Sequence, residues 1–428
     1  MKVRWLLLLA AVAFPRAARA DGRGAPCAER QSSALGQIAC ELAHNLPTPT
    51  QPMRVMVHAI TSPLRMERAD DLANRLARAV AGELGPNARV EPPTAGPARI
   101  DSLVIDAELT RERFSVTAEL FTGVAKFWDR FRPGSRGTTA RAHAAHAVDA
   151  ELASYLPPVP LVLTRVDKAR VDEPSVALAC GDVEGDGGLA IVSVGRRRIQ
   201  VGRVARGRFD VTHSKAWSEL SDIAPRPLRE PLASAYVDAN HRVQVGISDR
   251  SEALSLDREL LPTARFRATL PWPNAGCVPF VPGGVGEARG RCDAPPPRNP
   301  GGPLDALAGA RLARRDGTTF DVFAGRRTNA ELSLEVGGTR FEAGTSGAQL
   351  ALADLDSDGS AELISSLDTL EPSGDAVVVR TILADGKLRE AFRIPVPNGV
   401  RALAACPAWG TGLAPILIAT GDEVWVAR

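Results

Sequence analysis

Leu350-Ala-Leu-Ala-Asp354-Leu-Asp356-Ser-Asp358-Gly359-Ser360-Ala-Glu362-Leu-Ile364 places three carboxylates at alternate positions, then a glycine, then a fourth carboxylate, between two short apolar runs. The flanking runs read as strands, so the acidic segment is the loop that joins them. A hard cation takes roughly six to eight oxygen ligands, and a short loop wraps one only if alternate side chains turn inward and a glycine allows the reversal. Aspartate and glycine also shape turns without any ion, as expected at Asp316-Gly317 and Asp385-Gly386. Here three carboxylates in one loop repel each other unless a cation neutralises them, and the spacing predicts a calcium site.

Working outward, the pattern recurs. In Leu178-Ala-Cys-Gly-Asp182-Val-Glu184-Gly-Asp186-Gly-Gly-Leu-Ala190-Ile191 the segment from Asp182 aligns in register with Asp354 onward, except that Ala190 stands where the later copy has Glu362. Self-similar stretches begin near Val176, Leu232, Ala275, Leu304, Ala348 and Val400, separated by Gly, Asp-Gly and Pro turns with no helical period. That interval suits a four-stranded propeller blade. Residues 157–428 are therefore expected to form an all-β propeller of about six blades.

Upstream the pattern is mixed, and residues 53–156 are expected to form a small α/β domain, giving an α+β chain as a whole. Arg54–Ile60 reads as a strand, and Arg68–Leu84 carries Leu72, Leu76, Val80 and Leu84 at helical spacing before Gly85-Pro86. Ser102–Leu109 and Phe114–Phe121 alternate about a charged turn, predicting a hairpin. A further strand is expected over Val124–Phe131, and the alanine-rich Thr138–Tyr155 reads as a helix. Leu156-Pro-Pro-Val-Pro160 is a stiff linker.

Lys2 and Arg4, the apolar run Trp5–Phe14, and Ala18-Arg-Ala20 before Asp21 have the form of a cleaved export signal over residues 1–20. That run is too short to span a bilayer and no other apolar run approaches the length required, so a periplasmic or secreted protein without a transmembrane anchor is expected. Residues 21–52 form a cysteine-containing segment. In an exported chain the six cysteines read as a disulfide set, for which sequence allows fifteen pairings. Proximity favours Cys27 with Cys40 and Cys277 with Cys292, leaving Cys180 with Cys406. The last two lie at equivalent places in two repeats. A net charge of +2 with interspersed signs gives no basic face for nucleic acid.

At the 354–362 loop the chain resembles the FG-GAP and VCBS repeat proteins, whose blades carry Asp-x-Asp-x-Asp-Gly loops. The motif is specific there, degenerate at 182–190 and absent elsewhere. The resemblance implies calcium held by Asp354, Asp356, Asp358 and Glu362, with the main-chain oxygen of Ser360 completing the loop. It also implies adhesion, scaffolding or ligand binding rather than one activity. The layout, a small α/β domain before a six-bladed propeller, is similar to that of the periplasmic propeller proteins of the Tol system. Their Pro-x-Trp-Ser-Pro-Asp-Gly signature is missing, with Pro407-Ala-Trp409-Gly as a faint echo.

Catalytic motifs are sparse. There is no Gly-x-Ser-x-Gly elbow, no His-Glu-x-x-His and no phosphate-cradling glycine loop. His143 and His146 would share one face if their segment were helical, without an evident third ligand. His58, His213 and His241 read as surface or packing residues. The expectation is a non-enzymatic binding or scaffold protein of the cell envelope, stiffened by calcium, with a protein partner. The alternative is a hydrolase or lyase working in the central propeller cavity.

Overall fold

Strand β3 (Asp101–Leu109) and strand β4 (Arg113–Phe121) bury alternate residues, Leu103, Ile105, Ala107 and Leu109 on one and Phe114, Val116, Ala118 and Leu120 on the other. That period-two pattern puts one face of a sheet against a core. The computed structural model describes residues 27, 31, 33–91, 101–121, 138–267, 269–272, 276–281, 284–285, 304–407 and 413–428, less positions 67, 187, 229, 230, 239, 251, 315 and 317. The expected leader, the strand expected over Val124–Phe131 and Cys292 lie outside the described residues, and of Cys277 only the backbone is described.

The N-terminal sheet runs β2 (Ala88–Val90), β1 (Met53–Thr61), β3, β4 and β5 (Thr138–Ala147), with β1 parallel to both neighbours and the rest antiparallel. Two helices supply the rest of its core. Helix α1 (Ala34–Asn45) starts at Ser33, whose hydroxyl accepts from Gly36 N–H, and is tied by the Cys27–Cys40 disulfide. Helix α2 (Ala69–Leu84) buries Leu72, Leu76, Val80 and Leu84, and ends on Gly85 at φ 99°. Helix α3 (Ala150–Ala153) is capped by Asp149.

The helix expected over Thr138–Tyr155 is corrected here: most of it is strand β5, and only α3 is helical. Alanine favours helices on its own. In this segment, however, Ala140, Ala142 and Ala144 alternate with Arg141 and His143, and the open edge of β4 takes that alternation as a paired strand. Ala142 and Ala144 are buried beside α1, where small side chains let the helix approach.

Beyond the linker, four-stranded antiparallel units follow one another. The first is β7 (Ser175–Gly181), β8 (Ala190–Gly195), β9 (Arg198–Ala205) and β10 (Arg208–Ala216), and it is followed by helix α4 (Trp217–Leu220). The second is β11 (Ala233–Val237), β12 (Val243–Ile247), β13 (Glu252–Leu256) and β14 (Pro262–Arg267). Of the third, only β15 (Thr269–Trp272), β16 (Gly276–Val281) and β17 (Gly284–Val285) are described. A single rung joins β17 to the fourth, β18 (Leu304–Ala313), β19 (Thr319–Arg327), β20 (Glu331–Val336) and β21 (Thr339–Thr345). The fifth is β22 (Leu350–Ala353), β23 (Glu362–Ser366), β24 (Ala376–Ile382) and β25 (Leu388–Pro395).

The last unit, β26 (Ala402–Ala405), β27 (Ile416–Ala419) and β28 (Glu423–Ala427), takes its outer strand from the start of the array, β6 (Val166–Arg170). Strand β6 also meets β10 at Arg170↔Arg208, so both ends of the array share one sheet. The first strands are neighbours in turn, β7 beside β11 and β26, and β22 beside β18 and β26. This is a β-propeller closed by a strand exchanged between its ends. Five expected repeat starts fall within two residues of a first strand; the third, near Ala275, falls at β16, inside its unit. Trp217, fully buried with its Nε1–H donated to the Gly195 carbonyl at 2.9 Å, fills the seam of the first two blades.

Candidate metal centre

The loop 354–362 joins β22 to β23 at the end of the innermost strand, and Ala353↔Glu362 is the last rung below it. Left-handed Ser357 (φ 58°) and Gly359 (φ 86°) curl the chain back over that rung. The Asp354 carboxylate accepts from Asp358 N–H at 2.9 Å and from Gly359 N–H at 2.8 Å. Asp356 accepts from Asp358 N–H at 3.2 Å, and Asp358 from Ser360 N–H at 2.7 Å. Glu362 is 1 % exposed and accepts from Leu355 N–H at 2.9 Å.

Asp354, Asp356 and Glu362 turn inward and bring a carboxylate oxygen each within 4.8 Å of the others. One cation can reach all three at that separation. Asp358 and Ser360 are not in this group of three; they form the turn above it. Among the described residues no lysine, arginine or histidine pairs with Asp354, Asp356 or Glu362. Burial, with the neighbouring aspartates added, pushes the Glu362 carboxyl up to about 9 and the Asp354 carboxyl up to about 7. The same two causes raise Asp356. Burial and like charge thus favour the protonated forms of these acids in the ion-free chain.

The loop of the first blade has the opposite electrostatics. Asp182 accepts from Gly185 N–H at 2.7 Å and Asp186 N–H at 3.1 Å, so the turn is of the same kind. Each of its carboxylates, however, faces a cation or a histidine of the chain. Asp186 lies 3.3 Å from the Arg203 guanidinium, Glu184 lies 3.1 Å from His213 Nε2, and Asp182 lies 3.6 Å from His241 Nδ1. The Gly188 N–H and Arg203 hold the Asp186 carboxyl below its usual range. The roles of Arg203, His213 and His241 here have no local sequence signal, since they come from β9, β10 and the β11–β12 loop.

Other expected sites resolve simply. His143 and His146 are three residues apart on strand β5, not on a helix face, so they point to opposite sides of the sheet. His143 Nδ1 lies 3.3 Å from Thr117 Oγ1 and His146 Nε2 lies 2.9 Å from Glu41. Asp316 and Asp385 take neighbouring N–H groups within hairpin turns. Cys180 and Cys406 are joined, which fastens the first strand of the first blade to that of the last.

The first strands surround a cavity of about 1160 Å³ whose described wall is rich in alanine, including Ala177, Ala235, Ala308, Ala351 and Ala404. Among its described lining residues there is no histidine. Of its carboxylates, Asp375 accepts from Leu367, Ala376 and Val400 N–H groups, Asp238 from Asn240 and Arg242 N–H groups, Glu173 from Arg197 N–H, and Asp305 pairs with Arg326, while Glu173 Oε2 and Asp305 Oδ1 are buried without a partner. No helix among the described residues is long and apolar enough to cross a membrane.

The sequence matches no family model and no curated protein. Among solved structures, the chain is similar to a streptogramin B lyase at 10% identity and TM-score 0.32, covering 62% of this chain and 98% of that one. It is similar to BBS1N in complex with ARL6DN at 13% identity and TM-score 0.33, covering 63% and 97%. A member of the DUF4221 family from Bacteroides vulgatus gives 9% identity and TM-score 0.36, covering 63% and 97%. At these scores the likenesses carry no argument about activity, and the propeller rests on the strand pairing above.

Proposed function

We propose that this chain is an exported, non-enzymatic β-propeller of the cell envelope, stiffened by calcium at the 354–362 loop and binding a protein partner. The observation that carries the ion is Glu362: a carboxylate almost wholly out of solvent, aimed at two further carboxylates, with no cation paired with it among the described residues. Asp354, Asp356 and Glu362 would hold calcium through side-chain oxygens, with Asp358 and the Ser360 main-chain oxygen completing the loop as in the FG-GAP and VCBS repeats it resembles. The donor set is all oxygen and acidic, which suits a hard cation. Calcium supplies charge neutralisation here, and the chain supplies a turn already folded by its own N–H groups.

Export is supported by the leader-like first twenty residues and by the disulfides at Cys27–Cys40 and Cys180–Cys406, which persist in oxidising compartments. A binding role is favoured over chemistry by the cavity wall, where alanine predominates and no histidine lies among the described lining residues. The second reading, a hydrolase or lyase, is favoured by the size of that cavity and by the unpartnered Glu173 Oε2 and Asp305 Oδ1 in its wall. Cross-linked capture from envelope extract, repeated with calcium and with chelator and followed by reconstitution of the pair from purified components, tests the binding role. Turnover of a small-molecule substrate lost on obstructing the cavity with Ala404→Trp would favour the enzyme.

A further inference from the structure

Leu355 lies between the first and second expected ligands of the ion loop, Asp354 and Asp356, yet it belongs to the seam of the last two blades. It is 1 % exposed, its N–H is donated to Glu362, and its carbonyl accepts from Ala414 N–H at 2.8 Å, from the loop before β27. Leu355, Leu413, Ala414 and Ile416 form one buried apolar cluster with the fifth and sixth blades. Leu161 and Leu163 of the interdomain segment pack against that same cluster, while Val162 between them is 56 % exposed. Just beyond, Thr164 and Arg165 N–H groups are donated to the Arg428 carbonyl at 2.7 and 2.9 Å. The segment is therefore docked as an extended strap, alternate residues inward, immediately before β6 closes the ring.

Leu156 still belongs to the N-terminal core, so only Pro157-Pro158-Val159-Pro160 bridges the two bodies. Proline-rich chain is semi-rigid at roughly 3.1 Å per residue. Docked, the tether is four residues of stiff chain, about 12 Å. Released as far as Arg165, it gains five residues and roughly 15 Å of reach.

Resting on the calcium reading above, we propose that occupancy of the 354–362 loop controls docking of residues 161–165 into the blade seam, and so how tightly the N-terminal domain is held to the propeller. An ion that fixes Glu362 and the loop fixes Leu355, a member of the buried cluster against which Leu161 and Leu163 pack. Coupling of this kind is reciprocal, so a chain that cannot dock its strap binds calcium more weakly by the factor through which calcium favours docking.

The test reads the two events separately in the full chain. Isothermal titration with calcium reports the ion, and hydrogen exchange of the peptide spanning residues 159–166 reports the strap. We expect at least tenfold slower exchange in calcium than in chelator, fast exchange in both for Asp356→Asn, and fast exchange in both for Leu161→Ser/Leu163→Ser, which still binds calcium with reduced affinity. Ion binding with strap exchange unchanged would overturn this proposal and leave the calcium reading standing. No heat of binding in the wild-type chain would overturn both. Circular dichroism of each variant verifies that the propeller is folded.

Discussion

Ala190 stands opposite Gly181 on the first rung of the first blade as Glu362 stands opposite Ala353 on that of the fifth. The two loops share a turn, and this one position separates them. A methyl group at 190 leaves a loop whose three acids are answered by Arg203, His213 and His241. A carboxylate at 362 adds a fourth acid to a loop with no answering cation at Asp354, Asp356 or Glu362 among the described residues. The first blade carries a guanidinium and two imidazole partners for its acids within the chain; the fifth is left to protons or an external ion.

Stability should therefore depend on calcium through the fifth blade alone. At about a hundred times its dissociation constant an ion that binds only the folded state adds roughly 2.7 kcal/mol. Asp356→Asn should abolish the difference between calcium and chelator in a thermal melt. Asp186→Asn removes the charge from an exposed pair with Arg203 and should leave that difference intact.

The pH dependence has a definite sign. Glu362 titrates at about 9 when folded against an ordinary 4.5, and Asp354 at about 7 against 3.8. Between those limits the ion-free folded state binds more protons than the unfolded chain, so its stability falls as pH rises, from about 4 to 7 on both groups and on to about 9 on Glu362. Calcium displaces those protons, so its affinity should rise over the same window. Denaturant melts in chelator across pH 5 to 9 check the first statement. A stability that climbs with pH in chelator would contradict it.

Cys180 and Cys406 are 226 residues apart, and their bond ties the ring where its ends meet. In the chain-entropy model such a crosslink contributes about 5 kcal/mol before native strain is subtracted. Cys180→Ser/Cys406→Ser should lower the melting temperature substantially while leaving calcium binding in place. Peptide mapping without reductant that finds either thiol free would refute the pairing itself.

Ring closure also rests on β6, where Ala169 is 1 % exposed and paired with Val424. Ala169→Asp buries an unpaired carboxylate at that junction and should cost about 3 kcal/mol or more. A circular permutant that makes β6 continuous with β28 should fold without the exchanged strand, as judged by its circular dichroism.

The propeller was legible because its blades repeat the same turn chemistry. Asp-Gly pairs fall between strands of the first, fourth and fifth blades, apolar runs mark most blade starts, and two repeats align well enough to place Cys180 against Cys406. Strand β5 was not legible. Its alanines satisfy a helix locally, and only the open edge of β4 makes their alternation count. In the candidate site the carboxylates could be read from spacing, whereas their electrostatic fate could not. Arg203, His213 and His241 reach the first loop across strands and a blade boundary, and Leu355 reads as an ordinary apolar residue until Ala414 and Glu362 are seen to hold it.

Isothermal titration of calcium into the chelator-treated full chain, alongside Asp356→Asn and Asp186→Asn, addresses the central claim most directly. One equivalent should bind to the wild type and to Asp186→Asn, with protons released near neutral pH, and none to Asp356→Asn. No binding to the wild type, or equal binding to Asp356→Asn, would contradict the account and reduce the 354–362 loop to an acidic turn.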